Sequence, residues 1–148
     1  MTHCKYVAVL ETIWGSEVSP RFFRINPYNV SGSRLYRLIE SRDLWVTNVC
    51  RLAGRHARQH GIPDADWLCQ NLNLIDCDVL LVCGRIAQAT YAQTTGYWKR
   101  DARVIRMPHP AARNWTREQF EHYAKLIRNQ FDGKRSSNYK SLDGNSRR

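Results

Sequence analysis

A histidine between two prolines is the residue of this chain best placed to do chemistry. His109 follows the apolar run Arg103–Met107 and lies within the segment MPHPAARNWT. An imidazole held at the carboxyl end of a buried strand lies where open α/β folds bind their ligands. Upstream, Asn26 follows another apolar run and is fixed by Pro27, with Tyr28 next in sequence. These two predicted strand ends indicate one site built from both halves of the chain.

Two further positions end apolar runs in the same way. Asn48 lies near the end of LWVTNV, and Gly84 ends a run that turns directly into the helical pattern of GRIAQ. Parallel strands end at one edge of a sheet, so these residues are expected to converge. Each also has an ordinary structural explanation, since asparagine before proline is common in turns and Gly84 suits a tight turn. Asn48 alone fits a loop cap.

The elements that would position these residues alternate between strands and helices. This pattern predicts a three-layer α/β/α fold with a central, mostly parallel sheet of four to five strands. The predicted strands are 6–13, 21–25, 44–49, 78–83 and 103–107, and the predicted helices are 33–42, 64–75, 84–91 and 116–131. The first two strands are expected to pair antiparallel at an edge. Ser33 is expected to cap its helix, and Thr116 with Gln119 fits a capping box.

Composition predicts one domain followed by a short tail. With 43% hydrophobic residues, positions 1–132 are expected to form a single compact domain. Glycine, serine, lysine and arginine dominate 133–148, which predicts a basic, disordered tail. The longest apolar run, 79–83, is too short to span a membrane. The five cysteines are an odd number without paired spacing, which favours reduced thiols in a cytoplasmic protein. We expect the protein to be monomeric. We also expect it to be nucleoid-associated or, if phage-encoded, to lie in the host cytoplasm.

The charge of the chain is its strongest compositional feature. The formal net charge is +10, and eighteen of the 23 basic residues are arginine. Arginine binds phosphate through two parallel hydrogen bonds, whereas lysine acts as a point charge. A polyanion such as nucleic acid is therefore the expected partner, although a generally basic surface would give the same total. Phosphate contacts are expected from Arg51, Arg55, Arg58, Arg85 and Arg113.

Taken in order, these motifs resemble the uracil-DNA glycosylase superfamily over about residues 21–128. INPYN is similar to the family's first motif, a strand that ends in Asn-Pro or Asp-Pro. WVTNV and VLLVCGRIA are similar to its middle block, and PHPAARN is similar to its second motif, His-Pro-Ser or His-Pro-Ala. The resemblance implies a DNA glycosylase fold and activity.

The resemblance also implies a role for each motif residue. Asn26 would orient the attacking water, and His109 would donate a hydrogen bond to the departing base. Asn48 would read the base edge, Tyr28 would exclude the thymine methyl, and Phe23 is expected to stack on the base. The loop that contains Arg113, Asn114 and Trp115 would enter the duplex, since residues of these kinds suit a wedge.

These observations favour a monofunctional DNA glycosylase that removes uracil or a modified base with water as the nucleophile, since no lysine lies at the predicted edge. A catalytically silent DNA-binding protein on the same scaffold is the alternative. A small nucleotide-binding or nucleoside-processing enzyme is a third interpretation, but no glycine-rich phosphate loop is present. Some branches of the family hold an iron–sulfur cluster, and Cys50 and Cys69 fall near two such positions. An amino-terminal Cys-x-x-Cys is missing, so we expect no cofactor and no metal.

Overall fold

Strands and helices alternate along the chain. The computed structural model describes residues 2–11, 19–51, 61–94 and 101–129. Within these ranges the order is β1 (Thr2–Leu10), α1 (Val30–Ile39), β2 (Leu44–Asn48), α2 (Ala65–Leu72), β3 (Ile75–Cys83), α3 (Arg85–Ala92), β4 (Arg103–Met107) and α4 (Arg117–Arg128). No helix in the described part of the chain is long and apolar enough to cross a membrane.

The described strands form a parallel sheet in the order β2-β1-β3-β4. Leu10 at the end of β1 pairs with Asn48 at the end of β2, and Cys83 at the end of β3 pairs with Met107 at the end of β4. All the strands therefore end at the same edge, called here the carboxyl edge. The predicted parallel sheet is confirmed.

Helices cover both faces of the sheet. On one face α1 and α4 bury Leu35, Leu38 and Ile127 against the strands. On the other face α2 and α3 bury Leu68 and Ala87. This arrangement confirms the predicted three-layer α/β/α architecture, in which apolar side chains on both faces of the strands leave water.

The predicted place of the first strand is wrong. β1 lies between β2 and β3 and is parallel to both, instead of pairing antiparallel at an edge. Its residues from Tyr6 to Leu10 are all buried. A strand covered on both faces reads as a continuous apolar run without alternation, which is what YVAVL shows. The central place of β1 puts the next residue, Glu11, in the middle of the carboxyl edge.

The predicted strand at 21–25 is also wrong. In this segment Phe23 forms an isolated antiparallel bridge with Val46, donating to and accepting from its backbone at 2.9 Å. Arg24 lies beside the same strand, with its guanidinium 4.1 Å from the ring centre of Trp45 and hydrogen bonds to the carbonyls of Arg42 and Leu44. The segment therefore covers the edge of β2 without extending the sheet.

Helix boundaries follow the caps. α1 begins after Asn29, whose side chain accepts from the Gly32 N–H at 2.7 Å, so the expected cap at Ser33 is wrong. The helix stops at Ile39 because Glu40 has a left-handed backbone, with φ of 53°. The capping box of Thr116 and Gln119 is confirmed, with both hydrogen bonds formed. The predicted tail at 133–148 lies outside the described residues.

Candidate active site

His109 lies at the carboxyl edge, two residues after the end of β4. The turn between β3 and α3 packs closely against His109. Gly84 in this turn has φ of 91°, and a Cβ added to Gly84 would lie 3.3 Å from the His109 Cβ. The Gly84 N–H donates to the Met107 carbonyl at 2.9 Å, which ties this turn to the end of β4. Glycine is therefore needed at position 84 for both its backbone angle and the close approach.

The hydrogen bonding of His109 determines which nitrogen carries the proton. The backbone N–H of Ala111 donates to Nδ1 at 3.0 Å, so Nδ1 is an acceptor and the neutral ring carries its proton on Nε2. Burial lowers the pKa of His109 below its ordinary value, and the charge of Glu11 opposes part of that shift. Near neutral pH the side chain is therefore an uncharged donor at Nε2.

The loop that carries His109 is held by side-chain hydrogen bonds to its backbone carbonyls. The indole N–H of Trp115 donates to the His109 carbonyl at 2.9 Å. From α1, Arg34 donates to the carbonyls of Pro110 at 2.7 Å and Ala112 at 3.1 Å, with its guanidinium 5.3 Å from the centre of the Trp115 ring. Trp115 is thus packed inside the loop, whereas Arg113 and Asn114 are exposed. Insertion of Arg113, Asn114 and the half-buried Trp115 into a duplex remains a prediction.

Asn48 is the most unusual polar residue of the carboxyl edge. It ends β2 with no exposed surface, and neither its amide oxygen nor its amide nitrogen has a partner in the described part of the chain. Leaving such a group unpaired costs folding free energy, so buried amides are normally hydrogen-bonded. A ligand with an adjacent acceptor and donor, such as the edge of a pyrimidine, would satisfy both amide atoms.

Glu11 is the residue that sequence reasoning missed. It directly follows Leu10, which pairs with Asn48, and its carbonyl accepts from the Cys50 N–H at 3.0 Å. Its carboxylate lies near enough to His109 to raise the pKa of the imidazole. Glu11 directly follows the apolar run YVAVL, which is a signal for a residue at a strand end. The predicted antiparallel pairing of that strand at an edge did not place Glu11 with the other strand ends. The carboxyl edge therefore brings together Glu11, Asn48 and His109.

Asn26 and Tyr28 lie in a turn before α1 and follow no strand. The Asn26 side-chain oxygen accepts from the Tyr28 N–H at 2.9 Å, and both residues are exposed. A Cβ on Gly32 would collide with the Asn26 carbonyl, so the turn packs tightly on the helix. Phe23 is half-buried against the core on the α1 side. Their predicted roles in catalysis and base binding stay predictions.

The predicted phosphate-binding arginines divide into two groups. Arg51, Arg85 and Arg113 are exposed and follow β2, β3 and β4 respectively, so they surround the carboxyl edge. Arg55 and Arg58 lie outside the described residues. A rim of guanidinium groups on three loops is the arrangement that attracts a polyanion.

The cysteines of the described ranges do not suit an iron–sulfur cluster. Cys50 is buried, and burial raises its pKa to about 11, which disfavours the thiolate that a metal requires. Cys69 is half-buried on α2. Within the part of the chain that the structure describes, no three histidine, cysteine or acidic side chains are grouped so that they could hold a metal ion.

Together these features define an α/β protein with polar side chains gathered at the carboxyl ends of parallel strands. The chain belongs to the uracil DNA glycosylase superfamily, whose family model matches residues 19–130. Membership indicates activity of the DNA glycosylase type. The match begins after β1, so Glu11 lies outside it. A comparison with curated proteins finds no match.

Replacing Asn48 with leucine is expected to stabilise the fold. Leucine has a similar shape and removes two unpaired buried polar atoms, so the free energy of unfolding should rise by about 1–3 kcal/mol. Stability gained at a binding site at the expense of function is a common trade-off. Urea denaturation of the Asn48→Leu variant measures the change.

Asn71 provides the matched control, because it is equally buried but fully paired. Its oxygen accepts from Arg21 at 2.6 Å and its nitrogen donates to Thr47 at 3.2 Å. The Asn71→Leu variant should therefore lose stability under the same conditions. A loss of stability in both variants would show that the Asn48 amide has partners in the folded protein.

The lowered pKa of His109 predicts a dependence of stability on pH. The unfolded chain has a histidine of ordinary pKa, 6.5, and so binds a proton more readily than the folded protein does. The contribution of this residue is fully present above pH 6.5 and declines as the pH falls towards the folded pKa. Unfolding of wild type and His109→Gln across this range should show a smaller decline in the variant, and parallel curves would contradict it.

Proposed function

We propose that this protein is a monofunctional DNA glycosylase that hydrolyses the N-glycosidic bond of uracil or a modified base in DNA. The observation that carries the proposal is the buried, unpaired amide of Asn48 at the same sheet edge as the neutral, Nε2-protonated His109. The amide would read the edge of a flipped base, and the imidazole would donate to its carbonyl. Both groups are preformed, which suits charge that develops on a leaving base.

The proposed reaction transfers the base from sugar to water. The oxygen of water bonds to the anomeric carbon, and the electrons of the C–N bond leave with the base as an anion, which His109 stabilises through Nε2–H. Glu11 would hold the water and accept its proton, and the base anion then takes up a proton and departs. We choose Glu11 over Asn26 because the Asn26 side-chain oxygen is used within an exposed turn.

DNA is the proposed partner. Extrusion of a base costs a few kcal/mol, and phosphate contacts to the arginines at the carboxyl edge would offset part of that cost. The exposed Arg113 and Asn114 would fill the gap in the duplex, and the net charge of +10 favours a polyanion. We further propose a monomeric protein of the cytoplasm, nucleoid-associated or in the host cell of a phage.

A panel of labelled oligonucleotides, each with one altered base, tests the proposal with the full-length protein. Free base and an alkali-labile abasic site should form with at least one substrate, without strand cleavage before alkali treatment. DNA binding without base release from any substrate would favour the silent DNA-binding alternative. Release from free nucleosides but not from DNA would favour a nucleoside-processing enzyme.

Arg34 is expected to support catalysis by positioning the His109 loop, without contacting the substrate. It holds two carbonyls of the His109 loop at once, which the ammonium group of lysine reproduces poorly. Misplacement of a catalytic group by about 1 Å costs up to about 100-fold in rate, so kcat of Arg34→Lys should fall by roughly 10-fold to 100-fold with little change in KM. Arg117, exposed on α4, is the control. Equal rates for Arg34→Lys and Arg117→Lys would contradict this role.

A further inference from the structure

A surface cavity lies along helix α1, and neither Asn48 nor His109 lines it. Its volume is about 510 Å³, within the range that binds small organic groups. The lining residues come from the turn before α1 and from the outer side and end of that helix: Pro27, Tyr28, Ser33, Tyr36, Arg37 and Arg42. We call this cavity the α1 groove.

An aromatic ring is presented to solvent at one end of the α1 groove. Tyr28 is 92% exposed, so its ring is accessible to a ligand. Its backbone is nevertheless held, because its N–H donates to the Asn26 side chain and Pro27 precedes it. The turn is also tied to the helix through the Tyr36 hydroxyl, which donates to the Ile25 carbonyl at 3.4 Å. An exposed ring on a backbone that is held in place is suited to stacking.

The α1 groove is positively charged. Arg37 and Arg42 are both exposed, and their guanidinium groups lie over the rings of Phe120 at 5.6 Å and Tyr36 at 5.2 Å. Glu40 also lines the groove, but its carboxylate is 3.4 Å from Arg128, which offsets its charge. Cations beside an exposed ring are the combination that binds the phosphates and bases of a single nucleic-acid strand.

One end of the groove lies one residue along α1 from the contact with the His109 loop. Ser33 lines the groove, and the next residue, Arg34, bonds to the His109 loop. The whole of α1, which runs away from the carboxyl edge, has ten residues and a length of about 15 Å. At the rise of a stacked strand, about 3.4 Å per nucleotide, this length accommodates about four nucleotides.

We propose that the α1 groove binds single-stranded DNA, with one base stacked on Tyr28 and phosphates at Arg37 and Arg42. The partner is a strand that continues from a nucleotide held at the carboxyl edge, so its identity as DNA rests on the proposed function. Binding in the groove would favour substrates with a single-stranded arm over blunt duplexes.

Fluorescence anisotropy with a labelled, unmodified thymidine dodecamer measures this binding for the full-length protein. A base stacked on an aromatic ring loses that contact when the ring is removed, so Tyr28→Ala should weaken binding roughly tenfold, while Tyr28→Phe should bind within twofold of wild type. Arg42→Gln should lower the slope of log affinity against log salt by about 0.7. Arg117→Gln removes an equally exposed charge outside the groove and serves as the control.

The proposal is overturned if Tyr28→Ala and Arg42→Gln weaken binding no more than Arg117→Gln does. It is also overturned if both variants weaken a blunt duplex as much as the single strand. The readout needs no base release, and His122→Ala, at an exposed position on α4, should bind the dodecamer as wild type does. If the protein binds the dodecamer through Tyr28 but releases no base from any substrate, the binding role of the α1 groove is supported and the glycosylase proposal is contradicted.

Discussion

Replacing Glu11 with glutamine is expected to slow base release by about 10²–10⁴-fold, the usual contribution of a positioned acid–base group. Glutamine keeps the shape of the side chain but cannot accept a proton from water or stabilise positive charge on the sugar. The loss should fall on kcat, because the base itself would be held by Asn48 and His109. Single-turnover release of base from the best substrate of the panel measures it.

Asn26→Ala is the informative comparison for Glu11. The Asn26 side chain accepts a backbone hydrogen bond in an exposed turn, so its loss should change the rate by less than tenfold. A large effect at position 26 and a small one at position 11 would instead assign the orientation of the attacking water to Asn26. Glu118→Gln provides a charge control on an exposed residue of α4, outside the α1 groove.

Replacing His109 with alanine is expected to lower kcat/KM by about 10²–10³-fold, the typical loss of one preorganised donor to a developing anion. His109→Gln retains an N–H donor and should recover part of that loss. Because the imidazole acts as a neutral donor, wild-type activity should persist below pH 6.5, where an ordinary histidine becomes charged. Rates measured from acid to neutral pH test this point.

His122 is the matched control for His109, since it is exposed on α4 and packs edge-on against Tyr123 at 4.9 Å. His122→Ala should leave the rate within about twofold of wild type, as is usual for surface substitutions. An unchanged rate in His109→Ala would remove the imidazole from the reaction. The proposed site would then need another donor for the leaving base.

Local features of this chain were predictable because they depend on neighbours in sequence. The capping box at Thr116 and the glycine turn at position 84 are set by short-range hydrogen bonds and allowed backbone angles. The ends of β2 and β4 were placed for the same reason, since each apolar run stops at a polar residue or a proline. The sequence therefore indicates Asn48 and His109 as candidate site residues, although it does not give their surroundings in the fold.

The misplaced elements depended on contacts that no local pattern encodes. RFFRI has the composition of a strand, but one bridge to Val46 and the position of Arg24 over Trp45 make it a cover for the sheet edge. Asn26 consequently begins a turn and does not end a strand. β1 was expected at an edge because it is followed soon by another apolar run, although its unbroken burial suits the centre of a parallel sheet.

The sequence by itself determined that strands and helices alternate, that Thr116 and Gln119 cap α4, and that an amide and an imidazole lie at the ends of two buried strands. Only the tertiary structure decided that β1 is central, that Glu11 joins those two groups, and that the Asn48 amide is buried without a partner. The physical reason is range: caps and turns are bonded within a few residues, whereas strand order and burial depend on pairings across the whole chain.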